Sequence, residues 1–141
     1  MAFIIKNPPE FTREVTQWTR ETLADGAEMA EVPEALLNND IYLKTQMERL
    51  EHVTEVALTA EGWIGENAPS SQTVLVSGAA EGMEPTVVSA LADGADAATA
   101  KAYIKAFGII CGGTAELTDG QAVFKVYKKP VTDITIGLKG A

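Results

Sequence analysis

The side chains that could do chemistry are few. His52 is the only histidine and Cys111 the only cysteine in 141 residues. One imidazole and one thiol cannot form a zinc cluster within a chain. Cys111 has no base beside it in the sequence. Cys111, in "IICGG", reads as a buried structural thiol in a strand, and His52 as an exposed helix residue. Asp93-Gly94-Ala95-Asp96 lacks the alternating acids and distal glutamate of a calcium loop, so it reads as a helix cap. "GTAELTDG" is neither a Walker loop nor a dinucleotide fingerprint. Glycoside cleavage needs two facing carboxylates, and no spacing here selects a pair. The expectation is a non-enzyme with no catalytic residue, no metal ligand set and no cofactor.

The tryptophans offer a different chemistry. Trp63 sits in "GWIGENAPSSQTVLVSG", residues 62–78. Its ring could plug a core at a junction between elements. It could also stack on a sugar, with Glu66, Asn67 and Ser70 as polar neighbours. Trp18 reads as a docking anchor, because aromatic residues dominate contact energies.

Composition limits the partners. Apolar residues make up 46% and charged residues 22%, which suits a folded domain. A net charge of −9 argues against nucleic acid and anionic membrane surfaces. No apolar run approaches the roughly 20 residues of a membrane span, and "MAFIIKNPPEF" does not read as a secretory signal. A single cysteine excludes an intrachain disulfide framework and suits folding in a reducing cytoplasm. The charge is uneven. Residues 1–99 hold 17 acids against 5 bases, whereas residues 100–141 hold 6 lysines against 3 acids. Such asymmetry suits complementary faces in an assembly.

The elements that would position these groups fall into three segments. Residues 1–30 read as an N-terminal arm. "KNPPEF" cannot be helical through its prolines, "EVTQWTRETLA" could be an extended strand or a short helix, and "ADGAE" is a turn. Residues 31–57 carry the clearest helix, over 33–57, with Pro33 and Glu34 in its first turn. Leu36, Leu43, Met47, Leu50, Val53 and Ala57 share one stripe, widened by Leu37 and Ile41. A helix of about 24 residues is about 36 Å long, more than a small domain covers, so the stripe is expected to pack on another chain. Residues 58–141 read as a small β-domain. Its strands are "QTVLVS", "PTVVSAL", two strands joined at Asp119-Gly120, and a last strand with Ile134, Ile136 and Leu138 on one face. Gly112-Gly113 marks a bend in the first strand of that hairpin, and residues 93–106 read as a short helix. The fold class is α+β: a long N-terminal helix, an oligomerisation stalk, followed by a small antiparallel β-sandwich-like domain with one short helix.

Several stretches resemble small structural proteins of Gram-positive phage and prophage tails. They are "DGAEMAEVPEALLNNDIYLKTQME", the Trp63 loop with "AP" before "QT", the Asp119-Gly120 hairpin, and the ending made by Lys129, Pro130, Asp133, Ile134, Ile136, Leu138 and Lys139. The resemblance covers roughly residues 20–141. It implies a tail, baseplate or fibre component, made in the bacterial cytoplasm and carried in the virion tail. It implies self-association as a homotrimer, contacts with other tail or baseplate proteins, and, as an alternative, a tail-tip module binding a host-surface glycan or protein. A cell-wall hydrolase is a third reading. Fibre proteins often continue into long shafts, so a chain with one such domain suits an adaptor or tip piece.

Overall fold

The computed structural model describes residues 2–15, 17–19 and 26–141. The chain is α+β and divides into two compact units, Met1–Arg49 and Leu50–Ala141. The expected boundary at residue 57 therefore moves back to residue 49.

The first unit is an arm with no regular structure among its described residues, followed by helix α1, Gly26–Glu51. The expected turn over 24–28 lies partly outside the described residues, and Gly26, Ala27 and Glu28 are helical. The expected strand or short helix at "EVTQWTRETLA" also lies partly outside them. Residues 14, 15 and 17–19, where described, have no regular structure. The helix begins ahead of Pro33 because Ala27, Glu28, Met29, Ala30 and Glu31 are good helix formers, and Glu28 favours the positive end of the helix.

The helix ends at Glu51, six residues before the expected end. Val53–Leu58 form strand β1 instead. Val53 and Ala57 are therefore not members of a helical stripe. The cause is visible in "VTEVAL". Val53, Thr54 and Val56 are β-branched, and the alternate residues Val56 and Leu58 are buried with Thr54 half-buried. Residues 50, 53 and 57 fit a period of 3.6, whereas 54, 56 and 58 fit a period of two, and pairing with a distant strand decides between them. His52 is an exposed linker residue between α1 and β1, and its carbonyl accepts from the Gly140 amide at 2.9 Å.

The second unit contains six strands and one helix: β1, β2 Ser70–Leu75, β3 Thr86–Ser89, α2 Ala97–Cys111, β4 Thr114–Thr118, β5 Gln121–Val126 and β6 Ile134–Lys139. Two antiparallel three-stranded sheets result, ordered β1-β6-β3 and β2-β5-β4. The hairpin at Asp119-Gly120 forms as expected, with Thr118 opposite Gln121 and Gly120 at φ 74°. The last strand also lies as expected, and Ile134, Ile136 and Leu138 are buried.

Helix α2 runs five residues further than expected and absorbs "FGIIC". A short apolar run carries no periodic signal of its own. Here Ala106 and Ile110, four apart, face the core, and the Gly112 and Gly113 amides close the end on the Gly108 and Ile110 carbonyls respectively. Cys111 is consequently an exposed residue at a helix end, not a buried thiol in a strand. Asp96 caps the start, accepting from the Thr99 amide at 2.6 Å. That bond holds its carboxyl below the ordinary carboxylate value.

One core joins both sheets to α2. It includes Val56 and Leu58 of β1, Ile136 and Leu138 of β6, Phe124 and Val126 of β5, and Ala106 and Ile110 of α2. At Gly137, in the centre of the first sheet, a β-carbon would come 2.7 Å from side-chain methyls of both Val53 and Val88. Gly137→Val should therefore lower stability by about 1–3 kcal/mol through overpacking, read as a lower urea midpoint with an unchanged slope.

Candidate functional site

Helix α1 carries a row of exposed apolar side chains. At 100° per residue, Met29, Leu36, Leu43, Met47 and Leu50 fall within about 60° of one another. All five are exposed, Leu36 at 55% and Met47 at 61%. Four of them recur every seventh residue, the spacing of a helix seam. Met29 was not expected in the stripe, because the helix was placed from Pro33 onward.

Asn38 and Tyr42 lie on roughly the opposite side of α1; the N-terminal arm crosses there and reaches the edge of the stripe, where Glu10, Phe11 and Arg13 line a hollow with Leu43. Asn38 is buried. Its amide nitrogen donates to the Ile4 and Glu34 carbonyls, both at 2.9 Å, and its oxygen accepts from the Lys6 amide at 2.8 Å. Asn39 makes a reciprocal pair with Thr12, accepting from its amide at 2.7 Å and donating to its carbonyl at 2.9 Å. These side-chain amides take the place a neighbouring strand would fill. Phe11 packs on Tyr42 with ring centroids 5.7 Å apart. The sequence signal was "NND", two residues of modest helix propensity in a helix interior, and sequence reasoning passed over it.

The arm hides little apolar surface. Phe3, Ile4, Ile5, Phe11, Val15 and the expected anchor Trp18 remain exposed. Among the described residues 2–49 no apolar side chain is buried. Asn38 is the only buried residue there, and Leu37 and Ile41 are half-covered.

Trp63 is in the core, at 5% exposure. It sits in the loop from β1 to β2, not at the end of α1, and belongs to the core that joins both sheets to α2. That loop is tied by reciprocal bonds between Ile64 and Ser71 at 2.8 and 2.9 Å, and by the Ser70 hydroxyl on the Gly65 carbonyl at 3.3 Å. The Gln72 amide donates to the Thr59 hydroxyl at 3.0 Å. A β-carbon at Gly62 would overlap that amide. Glu66 and Asn67 are exposed and are not brought against the indole face by any hydrogen bond. A buried ring presents no face to a sugar, so Trp63 acts as a plug.

Cys111 is exposed at the end of α2. The partial desolvation it does undergo there pushes its thiol above the ordinary value, and a helix C-terminus disfavours a thiolate further. Among the described residues no three of His, Cys, Asp or Glu converge on one point, and no helix is long and apolar enough to cross a membrane. No protein family, curated protein or solved structure matches the chain.

Two outcomes test this geometry. Trp63→Ala should cost about 3–5 kcal/mol, the range for emptying a large aromatic from a core. With Trp18 replaced by Phe, native Trp63 emission should be blue-shifted, and a near-neutral Trp63→Ala would contradict the plug. Asn38→Ala strands the Lys6 amide and the Ile4 carbonyl, a loss of about 1–3 kcal/mol. It should speed hydrogen exchange at the Lys6 amide while leaving β6 amides protected.

Proposed function

We propose that the protein is a non-catalytic structural component that assembles through its N-terminal unit, with the α1 stripe as the contact between copies. One observation carries this reading: residues 2–49, as described, bury no apolar side chain, although α1 and the arm present many. A segment of this size without a core of its own needs partner surface to be stable, and most helical stability comes from packing an apolar face. Contiguous exposed apolar surface of this kind marks an interaction site.

The resemblance to phage and prophage tail proteins supplies the setting. We place the protein in a tail, baseplate or fibre, made in the bacterial cytoplasm and carried in the virion, and as a homotrimer. The second unit, with two sheets on one core, is read as a small sandwich held by that assembly and available to neighbouring tail proteins.

The test is sedimentation equilibrium of the whole chain. Wild type should run at a multiple of 15.0 kDa, three chains on this reading. Leu36→Asp with Leu43→Asp should drop it to one chain, weakening association by at least about a hundredfold, because paired carboxylates would be buried at the contact. Both leucines are exposed in the single chain, so the double variant should leave the second unit's melting temperature unchanged. Glu28, Glu34, Glu48 and Glu51 outnumber Lys44 and Arg49 along α1, so association should tighten as salt rises. A wild-type mass of one chain at micromolar concentration would overturn the proposal, and a dimer would overturn the trimer.

A further inference from the structure

The second unit holds a cleft that the assembly reading does not use. It lies between α2 and the segment that follows β5, with a volume of about 350 Å³. Ala98, Ala102, Ala106 and Ile109 form one wall from α2, and Val131 faces them. Val131 is 76% exposed, an apolar residue left open to water at the mouth. Four lysines line the same cleft: Lys101 and Lys105, one helical turn apart, and Lys128 and Lys129 across from them. No carboxylate lines it. Three ion pairs form among the described residues, Lys6–Glu10, Lys44–Glu48 and Lys125–Glu116, and none of the four cleft lysines takes part. In a chain of net charge −9, this gathers four of the eight lysines around one apolar hollow without an acid to offset them.

We propose that this cleft is a binding site for a small amphipathic anion: an alkyl or aryl group carrying a carboxylate or phosphate. The apolar walls take the hydrocarbon part, and the amines meet the anionic head as it leaves the cleft. Size decides against a larger occupant. The volume is at the lower end of small-molecule sites, room for a short chain or one ring and too little for the face of a docked helix. The amines are flexible and exposed, so they supply charge steering and modest affinity more than a fixed geometry.

The experiment is an amide-resolved NMR titration of the whole chain with sodium octanoate, with octanol and acetate as single-feature controls. Octanoate, of about ten non-hydrogen atoms, should bind at about 1 mM. It should move the amides of Lys101, Ala102, Lys105 and Val131, and weaken as salt is raised. Octanol and acetate should each bind at least about tenfold more weakly. Lys101→Glu with Lys105→Glu should reduce octanoate affinity by about tenfold or more. Val131→Asp, at an exposed position, gives a second variant that should do the same if the first misfolds. Octanol binding as well as octanoate would overturn the proposal, as would octanoate shifts elsewhere with the cleft amides still. Cleft amides that move on dilution without ligand would also overturn it, assigning the cleft to another copy of the chain. None of these readouts depends on α1, so failure here and failure of the assembly reading are separable.

Discussion

The second unit depends on one pairing, that of β6 between β1 and β3. Val53 lies opposite Lys139 and Leu58 opposite Ile134 on one side, while Thr86 lies opposite Lys139 and Ser89 opposite Ile136 on the other. The inward residues Ile134, Ile136 and Leu138 are almost wholly buried, and they meet Phe124 and Val126 from the other sheet in one core. Gly137 leaves room for the side chains of Val53 and Val88 from the two flanking strands, which a β-carbon there would meet. Without β6, β1 and β3 have no partner in their sheet and the core loses one wall.

The first unit is built on the opposite principle. Its order comes from polar groups: two asparagine side chains make five hydrogen bonds, and four of them hold the arm by its backbone. Such bonds fix geometry well but contribute only about 1 kcal/mol each. The apolar residues that would ordinarily provide the stabilisation point outward. The same chain therefore contains one unit that closes on a core and one whose large apolar side chains are mostly exposed.

Features with a local cause were legible in the sequence. Asp119-Gly120 declares a hairpin through its own backbone preferences, and Ile134, Ile136 and Leu138 declare a strand by alternation. The helix through Leu36, Leu43 and Met47 was readable from its period. Its end was not, because Val53 to Leu58 become a strand only by pairing with residues 76 to 86 positions away. "FGIIC" was ambiguous for a similar reason: the burial of Ala106 and Ile110 makes it helix, and burial is a tertiary fact. The excess of lysine after residue 100 was plain in the composition. That four of those lysines border one hollow depends on how α2 faces the segment after β5. The role of Asn38 and Asn39 was hidden because their partners are backbone groups, which every residue has.

The position of β6 also bears on how the protein reaches its fold. The β4–β5 pairing closes over two residues, but every pairing in the first sheet joins strands remote along the chain. Non-local pairings bear loop-closure entropy before they return any contact energy, and they slow folding. The β4–β5 hairpin alone is local; β1 and β3 remain unpaired strands carrying valine in any chain where β6 is not yet between them. Unpaired strand edges favour clumping over folding. Residues 50–99 contain eight carboxylates and no lysine or arginine, and charge of one sign opposes such association.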